Sequence, residues 1–527
     1  MSKNNVKETF SESIFAMILS EVVIKSLGLI YKLYITNKPG FGDEGNAISQ
    51  GAFQVFALIL SFTAIGIPNA ISKLVAEKSS IGDHKGAFRI FKVSLVIFSF
   101  IGMIGTYFLI AFAKKLSTEY LHIAESELSI LTLAPSIFLT AVISVFRGYF
   151  IGRKSIKITG KAQARDQVAR TFSTIIMIEL SIFILKKTDT EIMSALNNLA
   201  LTIGNVFEAG TLLMQFIKEY PEIKHEVKNS VHTEKISAKR IAVNVLSMSI
   251  PLSLTAIILS ISKNIDSISI VSKLKNIIGY EEAKKQYGIL SGKADAMVNF
   301  PLSFNAAISS AILPAIASAK GNYDSQRSKV EKTLQFELTL FLPVMFSYIF
   351  FGDQLLHFLF PNAPDGATIL KINSLQIMIV CIEQMSNTIL NGMGKTRTII
   401  KVVMVGTLAK IALNYMLISR TNLFIGGTNG AALATTICHA IICILTTKEV
   451  LKDIKISPMV LIKPLAVNIV FSALSYATYS LIKSYLSSTV SLICSLAIGG
   501  IVYGILVVVL GIIKISPIAN VLKIRKN

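Results

Sequence analysis

The sequence has no tryptophan, four cysteines, six histidines and little charge: Asp, Glu, Lys and Arg together make up 16% of its 527 residues. Each shortage excludes something. Without tryptophan, any aromatic belt at a membrane boundary must rest on the 15 Tyr and 30 Phe. Cys381, Cys438, Cys443 and Cys494 all lie inside apolar segments, so they read as small buried hydrophobes rather than disulfide partners or zinc ligands. The histidines are scattered, with no metal-ligand spacing. A phosphate-binding loop is missing as well. Asn391-Gly-Met-Gly-Lys-Thr396 has the end of one, but lacks its first glycine and follows an apolar run. No cofactor is expected, and neither is ATP hydrolysis.

So few charges cannot cover a soluble protein that is 52% hydrophobic with mean hydropathy +0.62. What the chain has instead is long apolar runs. A spanning helix takes about 20 apolar residues, and about fourteen such runs occur. They begin with Ser13–Thr36, Ile48–Ser72 and Val93–Ala113, and end with Pro464–Ile482 and Ser488–Ile513. The predicted fold class is all-α, a polytopic membrane protein. The first ten residues are polar and the first run carries charges, which predicts a retained first helix rather than a cleaved signal.

The 52 basic residues exceed the 31 acidic ones, for a net charge of +21. In a soluble chain that excess suggests nucleic acid. Here it concentrates in alternate connections, where Lys and Arg outnumber those of the opposite set about threefold. The bias predicts both termini in the cytoplasm, a cell-membrane location and no nucleic-acid partner. The longest connections are 218–240, inside, and 263–293, outside. The first follows six runs, so the expected organisation is an N-terminal lobe over 1–217, a cytoplasmic linker over 218–240 and a C-terminal lobe over 241–455. Helices 13 and 14 and a basic tail then fill 456–527. Repeated lobes are a common build of transporters that rock about a midplane site.

Charges inside the runs are costly and mark function or ion pairs. In the first run Glu21, Lys25, Gly28 and Lys32 fall at i, i+4, i+7 and i+11, one stripe of a helix. The stripe is either a cationic wall for an anionic head group or one side of an interhelical ion pair. The fifth run opens with Asp166 and Arg170 at i, i+4, again a local ion pair or part of a polar wall. Arg147 closes the fourth run. Glu179, Glu208, Glu337 and Glu383 stand singly within runs, as protonatable coupling sites or hydrogen-bonded core acids. Asp266, just beyond the seventh run, is a further ion-site candidate. Lys73, Lys293, Lys371 and Lys410 sit where snorkelling to the surface is expected.

Several stretches together carry a family resemblance. Lys25-Ser-Leu-Gly28-Leu-Ile-Tyr31-Lys32, Gly42-Asp-Glu-Gly45 and Gly66-Ile-Pro-Asn-Ala-Ile-Ser-Lys-Leu-Val-Ala-Glu77 resemble the stage V sporulation protein B branch of polysaccharide exporters. So do Arg147-Gly-Tyr-Phe-Ile-Gly152, Tyr287-Gly-Ile-Leu-Ser-Gly292, Leu313-Pro-Ala-Ile-Ala317 and Asn391-Gly-Met-Gly-Lys395. The resemblance runs in order from the first helix to the tenth. It implies the superfamily of multidrug, oligosaccharidyl-lipid and polysaccharide exporters, near the MurJ-type lipid II flippases. Such proteins have two six-helix lobes around a cavity and a groove for a lipid tail at helices 13 and 14. They move undecaprenyl-diphosphate-linked glycans across the membrane by alternating access, with membrane lipids and a coupling ion as further partners.

By that resemblance Lys25 and Lys32 take the family's basic positions on helix 1, and Asp266 matches an Asp closing helix 7. With the charges above, the expected substrate-binding set is Lys25, Lys32, Glu21, Arg147 and Arg170. The expected coupling set is Asp266, Asp166 and Glu179. Two features depart from the family. Lys32 stands where Arg is usual, which keeps the charge and loses the bidentate fork. Helix 2 carries no charge between Gly45 and Ser72, where lipid II flippases place an extra Arg, so another polyprenyl-linked glycan also fits. Sporulation and vegetative wall growth both suit the resemblance.

Two rivals differ in what they require. An ion-coupled multidrug antiporter of the same superfamily favours acidic, aromatic cavities, against which the basic stripe argues. A membrane glycosyltransferase or polymerase needs catalytic acids on an outer loop. Asp43 with Glu44, and Glu281 with Glu282, are the close pairs in the longer connections, and they read as solvated turns. The chain is expected not to be an enzyme.

Overall fold

A computed structural model describes residues 24–63, 66–184, 188–231, 237–318, 323–420 and 424–512. Among them every regular element is helical. The first four are α1 (24–36), α2 (Gly42–Thr63), α3 (Ile67–Ser80) and α4 (His84–Lys115). Next come α5 (Glu127–Gly152), α6 (Ile156–Phe183), α7 (Thr190–Lys228), α8 (Ala238–Ile278) and α9 (Tyr280–Gly288). Then follow α10 (Asp295–Ser318), α11 (Tyr323–Leu359), α12 (Ala367–Gly392) and α13 (Thr396–Leu417). The last are α14 (Gly427–Leu451), α15 (Met459–Ile482) and α16 (Ser488–Val509). Nine spans among the described residues are long and apolar enough to cross a membrane. α6 is not one of them, because its apolar half still holds Asp166, Arg170 and Glu179.

Polar caps start the helices where the hydropathy pattern starts. The Asp83 carboxylate accepts from the Gly86 N–H at α4, and Asp189 accepts from Glu191 and Ile192 at α7. Ser237 and Ser487 do the same at α8 and α16. Each cap satisfies amides that the first turn leaves unbonded. The acid pairs Asp43/Glu44 and Glu281/Glu282 sit in the first turns of α2 and α9, where the helix dipole favours negative charge. Asp43 is buried there, not in a solvated turn.

The run Ile48–Ser72 falls within one span, Gly42–Ser80, that takes in α2 and α3. Pro68 lacks an N–H and falls in the first turn of α3, where that loss costs least. A side chain at Gly66 would lie 2.3 Å from the Ser249 carbonyl, and its N–H donates to Ser253 Oγ at 3.0 Å. The outer segment 263–293 is not a loop but helix: α8 continues to Ile278 and α9 follows. Ile270, Val271 and Leu274 bury one face of that extension.

The chain divides into two compact units, 1–292 and 293–527. In the first, Phe91 of α4, Phe146 and Tyr149 of α5 and Phe216 of α7 form an aromatic core with ring centroids 4.6–6.3 Å apart. α8 belongs to this unit through α2 and α3; Asn264 Nδ2 donates to the Gln54 carbonyl at 3.0 Å. In the second, α15 and α16 pack on α11 through Phe351, Tyr479 and Leu492. Lys293 and Lys410 do not snorkel; both are buried. Lys293 Nζ donates to the Ala363 and Asp365 carbonyls at 2.6 and 2.7 Å, so backbone oxygens replace its water.

Candidate functional site

α1 brings the predicted stripe down beside α6. Lys25 is exposed at its start, Gly28 faces Gln167 of α6, and Lys32 is buried. Glu21 lies outside the described residues. Lys32 Nζ donates to Asn46 Oδ1 of α2 at 2.6 Å, and Asn46 Nδ2 donates to Thr36 Oγ1 at 3.2 Å. One residue earlier, the Tyr31 hydroxyl donates to Asn197 of α7. Asn197 Nδ2 donates to Ser49 Oγ at 2.6 Å, and Ser49 donates to Asn198 at 2.9 Å. Neutral amides and hydroxyls thus hold α1, α2 and α7 together around the buried ammonium.

Arg170 joins this network from α6. Its guanidinium lies 5.7 Å from the centre of the Tyr31 ring, a cation–π distance. Asp166 and Arg170 both rest on Gly204 of α7. A Cβ there would come within 2.2 Å of Asp166 Oδ1 and 3.2 Å of Arg170 Cβ, so only glycine admits the two charges so close to the α7 backbone. Asp166 Oδ1 and Arg170 Nε are buried without a hydrogen-bond partner. One turn along α7, Glu208 receives Arg147 of α5 through two bonds of 2.6 Å. Arg147 is therefore the charge partner of Glu208. Four charges from three helices balance as two acids and two bases.

The remaining candidates lie apart from this cluster. Glu179 is not an isolated acid: Tyr34 near the end of α1 and Lys38 just beyond it both donate to it. Asp266 is half-buried within α8, not beyond its end. In the second unit Glu337 accepts from Ser309 at 2.8 Å, and Glu383 meets His439 Nδ1 at 2.8 Å. No group of three or more His, Cys, Asp or Glu placed to hold a metal ion occurs among the described residues.

Sequence reasoning did not single out Asn46, Asn197 or Tyr31, or pair Glu208 with Arg147. A readable signal existed: Asn197-Asn198 is an amide pair inside an apolar run, and buried amides need partners. Chemically, the cluster has fixed cations and many donors. Such a site can replace water around a multiply charged anion.

A family model described as a polysaccharide biosynthesis protein matches residues 10–320, and a second, described as MatE, matches 288–416. The stage V sporulation protein B of Bacillus subtilis is 26% identical over 522 residues, covering 96% of each chain. The lipid II flippase MurJ of the same organism is 22% identical over 524 residues, covering 93% of each. A solved structure of a lipid II flippase MurJ in an inward closed conformation shares the fold, with a TM-score of 0.72 and 16% identity. That likeness covers 93% of this chain and 98% of the other.

Proposed function

The chain belongs to the polysaccharide biosynthesis protein family, and on that premise we propose that it is a flippase. It carries a polyprenyl-diphosphate-linked saccharide, lipid II or another cell-wall or surface precursor, across the cytoplasmic membrane by alternating access. One observation carries the reading most directly: Lys32 of α1 is a buried ammonium, held by Asn46, next to the Tyr31 that seats Arg170. A diphosphate enters a low-dielectric slab only when fixed charges and donors replace its water. Lys25, exposed where α1 begins, would meet the head group first, and Lys32 and Arg170 would hold it deeper. Arg147, held by Glu208, would keep α5 and α7 aligned beside them, and Glu21, four residues before Lys25 in sequence, would tune its charge.

The moving parts would be the lobes of residues 1–217 and 241–455, joined by 218–240, with the helices of 456–527 guiding the lipid tail. Both termini would lie in the cytoplasm. Coupling would use a proton or cation at Asp166, Glu179 or Asp266. The transport is non-enzymatic, since no bond in the cargo changes. The MatE match over 288–416 favours one other reading, an ion-coupled drug antiporter on the same fold.

The test is lipid II exposure at the outer face of cells depleted of their own flippase. Rescue by the wild-type chain, and loss of rescue in Lys25→Ala/Lys32→Ala at equal membrane levels, is the expected result. Rescue by both proteins would keep the cargo and remove the helix α1 site. Rescue by neither, together with drug efflux from loaded vesicles, would establish the antiporter instead.

A further inference from the structure

A second cationic site lies away from the Lys32 cluster, on the flank of the α6–α7 hairpin. A pocket of about 390 Å³ opens there, lined by Lys157, Lys161 and Arg165 of α6 and Lys218, Thr211 and Met214 of α7. No acid lines it. Glu219 of α7, beside Lys218 in sequence, is engaged by Gln215 at 2.7 Å. Arg165 Nη1 donates across the hairpin to Thr211 Oγ1 at 3.3 Å, which sets the guanidinium over the groove. Lys157 and Lys161 also sit in the first turns of α6, where the helix dipole adds positive potential.

The spacing says more than the charge. On α6, Lys161, Arg165, Val168, Phe172 and Ile176 fall at i, i+4, i+7, i+11 and i+15, one stripe of the helix. On α7, Lys218, Met214, Thr211 and Phe207 form the matching stripe, read backwards. The apolar members are exposed: Phe172 by 61%, Ile176 by 55%, Met214 by 71% and Phe207 by 55%. From Arg165 to Ile176 the helix rises about 16 Å, close to the roughly 15 Å of one hydrocarbon leaflet. A cationic head-group pocket thus sits above an apolar track one acyl chain long. It lies at the end of the hairpin that the positive-inside pattern assigns to the cytoplasm, where anionic lipids concentrate.

We propose that this pocket binds the phosphate of an acidic glycerophospholipid of the inner leaflet, with its acyl chains along Val168, Phe172 and Phe207. The ligand of this proposal is a resident lipid rather than the cargo, and competition with a polyprenyl diphosphate tells the two apart. A free phosphate would use the cations and leave the apolar stripe idle. The site does not depend on which glycan the protein carries.

The test uses the full-length protein in detergent, titrated with phosphatidylglycerol or phosphatidylcholine and read by native mass spectrometry. We expect phosphatidylglycerol to be retained at least about tenfold better, and that preference to vanish in Lys161→Gln/Arg165→Gln/Lys218→Gln. The charge-conserving Lys161→Arg/Lys218→Arg should keep it. Met214→Trp fills the pocket without removing a cation and should also lower retention, which decides the matter if the triple variant aggregates. Unchanged retention in both the triple variant and Met214→Trp would overturn the proposal. Equal retention of phosphatidylcholine would overturn it too. Displacement of the lipid by millimolar glycerol 1-phosphate would reassign the pocket to soluble phosphates, and preferential displacement by a polyprenyl diphosphate would reassign it to the cargo.

Discussion

The Lys32 ammonium donates to the Asn46 side-chain carbonyl at 2.6 Å, joining α1 to α2 inside the helix bundle. The amide oxygen takes one ammonium proton and carries no formal charge of its own. Replacing Lys32 by Ala should lower the flipping rate about tenfold to a hundredfold, the worth of one charged hydrogen bond. Lys32→Arg should keep most of the rate, since the charge and donor remain. The measurement is lipid translocation in proteoliposomes with matched protein content. An unchanged rate in Lys32→Ala would remove Lys32 from the cargo path.

Arg147 and Glu208 form a two-point pair between α5 and α7 with only a small part of either side chain exposed. Removing one partner strands the other in the interior. Glu208→Leu, and likewise Arg147→Met, should therefore cost about 3 kcal/mol of stability, within the range for breaking a buried pair. Arg147→Met/Glu208→Leu should cost less than either single change. Thermal unfolding of the four proteins of the cycle checks this, and additive single effects would contradict the pairing.

Gly204 is where α6 comes down on α7. Gly204→Ala places a Cβ against Asp166 Oδ1 and the Asp166 carbonyl. The expected loss is about 1–3 kcal/mol, as for overpacking elsewhere. Asp166→Ala in the same chain should restore part of it, because the nearest colliding atom is then gone. Melting temperatures of the three variants read the effect; no recovery in the double variant would mean that the backbone contact dominates.

Lys284, on the short helix α9, bonds Glu125 at 2.8 Å and Glu281 at 2.7 Å. Burial opposes its charge, but the two carboxylates outweigh it and raise its pKa above the ordinary lysine value. A raised folded-state pKa means stability that is fully present below the unfolded value and lost as pH climbs through the folded one. The wild-type melting temperature should thus fall in the strongly alkaline range, above about pH 10. Lys284→Met should be less stable at neutral pH and lack that alkaline step. An identical alkaline step in the variant would assign it to another group.

The helices were largely legible because hydropathy is local. The apolar runs Val93–Ala113 and Pro464–Ile482 lie within α4 and α15, and Ser488–Ile513 begins where α16 begins. The helical extension through Ile278 was missed because Lys263, Asp266, Lys273 and Lys275 make it look like a loop. Only Ile270, Val271 and Leu274, buried on one face, reveal why it folds.

The sequence by itself determined an all-helical membrane chain, its periodic basic stripe on α1 and the residue types its site would draw on. Those properties depend on neighbours within a few turns. The tertiary structure alone decided which charge answers which. Arg147 meets Glu208 across 61 positions and Tyr31 meets Asn197 across 166, and Glu179 is claimed by Lys38 rather than standing free. Desolvation makes each buried charge seek a partner, but only packing determines which helix face brings one within 3 Å.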